Sequence, residues 1–262
     1  MTRGTFSSRS LNARCLIAVC TLFFSATASY SQTISEAPKP SVPITTLAPF
    51  ASVGGTVLNP VWQLTGLPKG EAPLTEFAPA MLDGEAILTL RTQASYGVLT
   101  HNWQGPAPEF LSWRWQLAQG LVGADIKTKA GDDAALKVCV MFDQPVADIP
   151  FLQRAALRLA RTATGQNLPS ATLCYLWDSR YSAGTGGPNP YTARVRFMVI
   201  NGQETATGQW VSQRRRIADD FELLFGQESK TMPPITAIAI GADSDNTQGN
   251  SLGYLSQLRW LP

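Results

Sequence analysis

Hydrophobic and polar residues alternate most cleanly at Leu111–Leu117, where Leu111, Trp113, Trp115 and Leu117 are separated by Ser112, Arg114 and Gln116. A period of two sends successive side chains to opposite sides of a strand, so both tryptophans face one way, into a core. After a polar connector over residues 124–133, the alternation returns with Leu136, Val138, Val140 and Phe142. This pair of strands is predicted to form the centre of a β-sandwich.

The remaining chain reads as strands with turn signals between them. Pro60–Leu64 is a short strand, and Glu76–Pro79 with Ala86–Thr92 forms a hairpin across Leu82-Asp83-Gly84, where Asp-Gly suits a tight loop. Tyr96–Trp103 is a further strand, broken from the next by Gly105-Pro-Ala-Pro108. Past Phe142 the period lengthens: Leu152, Ala155, Ala156 and Leu159 share one face, Asp148 stands where a helix cap would, and Gly165 ends the run. One amphipathic helix lying on a sheet is predicted. Thr172–Asp178 resumes strand character, and Ser179–Pro190 is a loop rich in Gly and Pro. Thr192–Ile200 alternates again, and Asn201-Gly202 predicts a hairpin turn toward Gln209–Arg214. A short helix follows, with Asp219 and Asp220 in its first turn, Phe221, Leu224 and Phe225 on one face, and Gly226 at its end. Ile235–Ala242 and Leu252–Leu261 flank a polar loop from Asp243 to Asn250. About ten strands at this spacing predict an all-β fold, a two-sheet antiparallel β-sandwich of jelly-roll type with one or two short helices packed on it.

The N-terminus changes the compartment. Arg3, Arg9 and Arg14 precede an apolar-to-small run from Cys15 to Ala28 that ends in Ala26-Thr27-Ala28, the pattern of a secretory signal peptide over residues 1–28. The run is shorter than the ~20 residues that span a bilayer, so no stable membrane insertion is expected after cleavage. Residues 29–56, with Pro38, Pro40, Pro43 and Pro49, are expected to be a linker or tail ahead of a domain over 57–262. The expected location is periplasmic or secreted. Cleavage would remove three of the 21 basic residues and none of the 19 acidic ones, taking the formal charge from +2 to −1. A near-neutral chain lacks the basic stripe of a nucleic-acid partner. Of the four cysteines, Cys139 and Cys174 would remain, each in a predicted strand. They are read either as a disulfide, which would contribute roughly 3–4 kcal/mol, or as two buried thiols.

Few residues carry recognisable chemistry. Gly249-Asn-Ser-Leu-Gly253 matches the pattern of a nucleophile elbow, but a strand follows it where a helix is needed, and the single histidine, His101, lies far upstream. Ser251 is therefore read as a turn residue and His101 as a strand histidine with a satisfied hydrogen bond, and no catalytic residue is assigned. Asp132, Asp133, Asp243, Asp245 and Asn246 are compact groups of loop oxygens that suit a hard cation such as calcium, against the alternative of ordinary turn chemistry; no other cofactor is implied. The same aspartates could serve as a glycosidase acid and base. Trp103, Trp177, Tyr181, Tyr191 and Trp210 lie at strand ends or beside loops, where flat rings could stack on sugars; Trp177, Tyr181, Tyr191 and Trp210 are the candidate ligand-binding residues. Arg194, Arg196 and Arg214–Arg216 are read as a solvated face.

Trp113-Arg-Trp115, Lys129-Ala-Gly-Asp-Asp133, the Leu173–Trp177 strand, Asn189-Pro-Tyr191, Gly208-Gln-Trp210 and Asp243-Ser-Asp-Asn-Thr247 occur in an order that resembles a family of exported bacterial proteins, domain of unknown function number 3047. The resemblance runs from about Pro60 to the C-terminus. It implies a single exported sandwich-like domain and brings no activity with it; Cys139 and Cys174 depart from its pattern. Export, architecture and aromatics together point first to a non-catalytic domain that binds a glycan or another envelope polymer. The alternatives are a polysaccharide hydrolase or lyase using the loop aspartates, and an envelope protein-interaction domain.

Overall fold

A computed structural model describes residues 46–53, 55–165 and 167–262. The expected signal segment and residues 29–45 of the expected linker lie outside the described residues. The elements are β1 (Gln63–Thr65), β2 (Glu76–Leu82), β3 (Glu85–Gln93), β4 (Tyr96–Asn102), β5 (Phe110–Gln119), β6 (Leu136–Phe142), α1 (Phe151–Thr164), β7 (Ala171–Trp177), β8 (Gly186–Pro188), β9 (Val195–Asn201), β10 (Val211–Arg216), α2 (Ile217–Phe225), β11 (Ile235–Asp243) and β12 (Asn250–Leu261). They form a seven-stranded sheet in the order β1-β4-β11-β6-β7-β9-β8 and a five-stranded sheet in the order β10-β5-β12-β3-β2. Every neighbouring pair is antiparallel except β7 and β9. The protein is an all-β, jelly-roll-like sandwich.

The two strands that organise the sequence, β5 and β6, sit in opposite sheets and contribute to one core. Trp113 and Trp115 on β5 are fully buried. Trp113 packs on Tyr175, and Trp115 on Trp177, with ring centroids 5.4 and 5.8 Å apart. Aromatic pairs at such separations add to the large apolar area each ring removes from water. α2 covers the end of this core as its apolar face predicts: Ile217, Phe221 and Phe225 are buried, and Phe221 lies 4.9 Å from Phe142. The hairpin at Asp83-Gly84 joins β2 to β3, and both turn residues take positive φ.

Four expectations fail here for physical reasons. Asn201-Gly202 does not close a hairpin, because β9 belongs to the large sheet while β10 pairs with β5 in the small one. The buried Asn201 uses its side-chain oxygen to accept from Trp115 Nε1 and Gln213 Nε2, both at 2.8 Å, so its amide ties the sheets together. The expected face of α1 does not lie on a sheet either: Leu152, Ala155, Ala156 and Leu159 are exposed, and Leu157 is the buried residue. Pro150, not Asp148, is the residue that caps α1, and no side chain bonds the helix start. Arg194 and Arg196 are not solvated, since both pair with the buried Glu228 carboxylate. Packing also begins ahead of residue 57. The Ala48 N–H donates to His101 Nε2 at 3.0 Å, the Ala48 carbonyl accepts from Trp62 Nε1, and Leu47 and Phe50 lie against the core.

Candidate functional site: a carboxylate cluster beside an exposed tyrosine

The outer face of the large sheet carries a second, smaller core of Cys139, Cys174, Leu176, Phe197, Val199 and Ala239. Residues opposite one another on β6 and β7, Cys139 and Cys174 are joined by a disulfide. Ile126, from the loop over residues 124–133, plugs this face. That loop is closed by Asp125 N–H donating to the Gly131 carbonyl at 2.7 Å. A Cβ on Gly131 would stand 2.8 Å from the Asp125 nitrogen, so only glycine lets the two ends approach.

Four aspartates meet where this loop enters β6 and where β11 ends. One oxygen from each of Asp133, Asp243 and Asp245 lies within 4.8 Å of the others. Asp133 is buried and its acceptors are filled: Oδ1 takes the Asn246 backbone N–H at 3.1 Å and Asn246 Nδ2 at 3.3 Å, and Oδ2 takes the Thr247 N–H at 2.7 Å and hydroxyl at 2.6 Å. Asp243 accepts from the Ala134 N–H and from Lys137 Nζ, both at 2.9 Å. Lys137 reaches Asp243 because its cross-strand partner is Gly241, where a Cβ would collide with the lysine stem at 2.6 Å. Burial works against the Lys137 charge, but Asp243 and Tyr96 outweigh it, so the ammonium is held charged well above its usual range.

The other two aspartates are less committed. Asp132 Oδ2 accepts from Asn189 Nδ2 at 2.6 Å, and Asp245 Oδ1 is buried with no partner among the described residues. Burial pushes the Asp132 carboxyl up to about 6, with Asn189 and Lys137 opposing the shift. Burial, then the charges of Asp243 and Asp133, push Asp245 up to about 6 as well. Both can therefore exchange a proton near neutrality. The expected calcium ligands are thus brought together, but the oxygens of Asp133 and Asp243 are already spent on the Asn246-Thr247 backbone and on Lys137. A cation here would compete with the four donors on Asp133 and would meet the Lys137 ammonium on Asp243.

Tyr191 stands over this cluster. Its hydroxyl lies 2.8 Å from the Lys129 carbonyl and 3.2 Å from Asn246 Oδ1, while its backbone N–H donates to Asn189 Oδ1. The residue is still 48% exposed. Tyr181, on the connection between β7 and β8, donates its hydroxyl to Asp125 at 2.7 Å and has Lys127 Nζ 4.3 Å from its ring. Trp210 lies elsewhere, against Tyr254 and Arg114 of the small sheet. Trp177 does not take its expected place at the surface: it is buried in the inter-sheet core and cannot stack on a ligand, and Trp103 is likewise buried against Trp260. Ser251 is a strand residue whose hydroxyl is bonded to that of Thr92, not a turn residue. Lys137 and Asn189 also belong to the cluster, which their sequence neighbours do not reveal. A lone cation among the apolar residues of β6, and the Asn-Pro-Tyr run, are the signals the sequence offers for them.

Comparison with solved structures finds low-level similarity. The xyloglucanase domain of NopAA, a type three effector from Sinorhizobium fredii, in complex with cellobiose, matches with TM-score 0.40 and 10% identity over 83% of this chain and 98% of that one. The family 11 xylanase from Neocallimastix patriciarum matches with TM-score 0.36 and 9% identity over 78% and 92% of the two chains. The catalytic domain of Humicola grisea Cel12A, in complex with a soaked thio cellotetraose, gives 0.35 and 10% over 80% and 96%. Similarity at this level transfers no activity. Comparison with the curated proteins returns no match. Residues 60–259 match the family described as "Protein of unknown function (DUF3047)", and the chain belongs to that family.

Proposed function

We propose that the protein is an exported module that binds a glycan, or another polyhydroxylated envelope polymer, without turning it over, at the patch formed by Tyr191, Asp132, Asn189 and Asn246. One observation carries the reading: the Tyr191 ring is half-exposed yet held at its hydroxyl and backbone by Lys129, Asn246 and Asn189. A ring already fixed in place gives up little freedom when a sugar stacks on it, and carboxylates and amides beside it can bond hydroxyls. The test is affinity electrophoresis through gels containing a panel of polysaccharides, with a parallel assay for released reducing ends. Retardation that Tyr191→Ala abolishes and Trp210→Ala leaves intact supports this patch; retardation that follows Trp210 instead moves the site to the small sheet, and no retardation on any polymer refutes glycan binding.

A second reading rests on the two carboxyls pushed up to about 6. A carboxylic acid that titrates near the working pH can donate a proton to a leaving group while a neighbouring carboxylate acts as base or nucleophile. Release of reducing ends that Asp132→Asn removes would favour this reading over simple binding.

A further inference from the structure

β5 buries Leu111, Trp113, Trp115 and Leu117, so its alternate residues Phe110, Ser112, Arg114 and Gln116 lie on the outer face of the small sheet. Ser112 stands in register between Arg214 of β10 and Arg259 of β12, which places both arginines on that face, one strand away on either side. Both are exposed. Two strand spacings hold their Cα atoms roughly 10 Å apart, a gap that two side chains of this length can close onto one acceptor above Ser112.

The neighbouring cations are matched by acids and these two are not. Arg114 pairs with Glu85 at 2.8 Å, Arg216 with Glu109 at 3.3 Å and Arg91 with Glu76 at 3.6 Å. Among the described residues neither Arg214 nor Arg259 pairs with a carboxylate. Arg214 sits over the Phe110 ring instead, its Cζ 3.6 Å from the centroid. A guanidinium stacked by its face keeps its N–H edge for an oxyanion. Further along the same face Tyr254 stands opposite Gln116, with Trp210 6.4 Å from it and Arg114 5.2 Å over the indole. Four residues of β5 separate that row from Ser112, roughly 13 Å. The rings are partly buried, so they lie in the face instead of jutting from it as a lipid-inserting group would. Flat rings at one point of a rigid sheet and two uncompensated guanidinium groups at another suit a linear polymer that offers sugar faces and carboxylates in turn. We propose that the outer face of the small sheet binds an anionic polysaccharide, Arg214 and Arg259 clasping a carboxylate above Ser112 while Trp210 and Tyr254 take a sugar face. Tyr191 lies between β8 and β9 of the other sheet, so this face and the Tyr191 patch stand or fall separately.

The test is affinity electrophoresis of the full-length gene product, purified as its host processes it, through gels containing polygalacturonate or alginate, each also as its methyl ester, which keeps the backbone and removes the charge. At least one acid polymer is expected to bind about tenfold more tightly than its ester, the difference shrinking with added salt. Arg214→Gln with Arg259→Gln should remove most of that difference, and the corresponding pair of Glu substitutions should reverse it. Trp210→Ala should weaken binding of the acid polymer severalfold, and Tyr191→Ala should leave the acid-to-ester ratio as it is. Both arginines are exposed, and an unchanged melting curve would show the fold to be kept. Failure of both acid polymers to bind more tightly than their esters overturns the proposal. So does a preference that survives the glutamine pair or that disappears with Tyr191→Ala, since other groups then read the charge. Equal competition by a DNA duplex would make the face a general polyanion site and overturns the saccharide assignment. Retardation on neutral polymers that follows Tyr191 bears on the Tyr191 patch alone and would persist if this face proved inert.

Discussion

The two faces of the large sheet are built from the same strands and held by different forces. Its inner face presents Leu136, Val138, Tyr175 and Trp177 to the tryptophans of β5, and burial of apolar area does nearly all the work. Its outer face carries a disulfide, a buried Lys137–Asp243 pair and a loop held by the filled acceptors of Asp133. An apolar interior tolerates change of shape so long as volume is kept, whereas a buried polar cluster fails when a single partner is removed. The difference separates the part of the molecule that secures the fold from the part that shapes a surface.

The largest effect is expected on the inner face. Trp115→Ala removes a fully buried ring and leaves Asn201 without one of its donors, and should cost roughly 3–5 kcal/mol in denaturant unfolding. On the outer face, Lys137→Met strands the Asp243 carboxylate in a buried position and should cost about 3 kcal/mol, with Asp243→Asn added to it restoring part of the loss. A loss under about 0.5 kcal/mol would mean that the pair contributes only locally. Replacing Cys139 and Cys174 by alanine opens a cross-link between residues 35 apart and should cost roughly 2–4 kcal/mol, measured by the same unfolding curves against the disulfide-bonded parent.

A smaller effect of opposite sign comes from Asp132. Its folded value of about 6 lies above the ordinary aspartate value near 3.9. The folded protein thus holds its proton longer than the unfolded chain, and the stability this gives is present below about pH 4 and is lost as pH rises through 6. Asp132→Asn should flatten that fall. After discounting for partial exposure, it should leave the variant about 1 kcal/mol more stable at pH 7. The difference between parent and variant melts across pH 4–8 isolates this group from His101, whose imidazole burial holds low and which therefore destabilises in the opposite direction, on acidification. The smallest effect is expected from calcium. Because the Asp133 acceptors are filled and the Lys137 ammonium sits on Asp243, millimolar calcium or a chelator should leave the melting temperature within about 1 °C, and a larger rise would make the loop a cation site.

Much of the fold was legible because alternation is a local record of which side of a strand is wet. Trp113, Trp115, Val138 and Phe142 all lie where period two sends them, and the Phe221/Phe225 face of α2 lies on the core. Legibility ended where a local signal had two tertiary uses. Asn201-Gly202 has turn chemistry, but the asparagine is a cross-core bridge. Leu152 and Leu159 mark an apolar face, but periodicity does not say that this face meets the core, and on α1 it does not. Trp177 ends a strand, as a surface aromatic would, yet both faces of that strand are covered. In the candidate site, the aspartates and Tyr191 could be named one by one, while Lys137 and Asn189 are members only through partners across the fold, Asp243 and Asp132.

The chain by itself determined the strand-rich class, the apolar identity of the core and the family, because these rest on residue type and spacing along a few neighbouring positions. Only the tertiary structure decided which aspartates are satisfied and which hold a proton near pH 6, which aromatics remain open, and which way each helix turns its apolar face. Those properties depend on burial and on partners more than fifty residues away in the chain, such as Asn189 for Asp132 and Asp243 for Lys137. No short stretch of sequence records them.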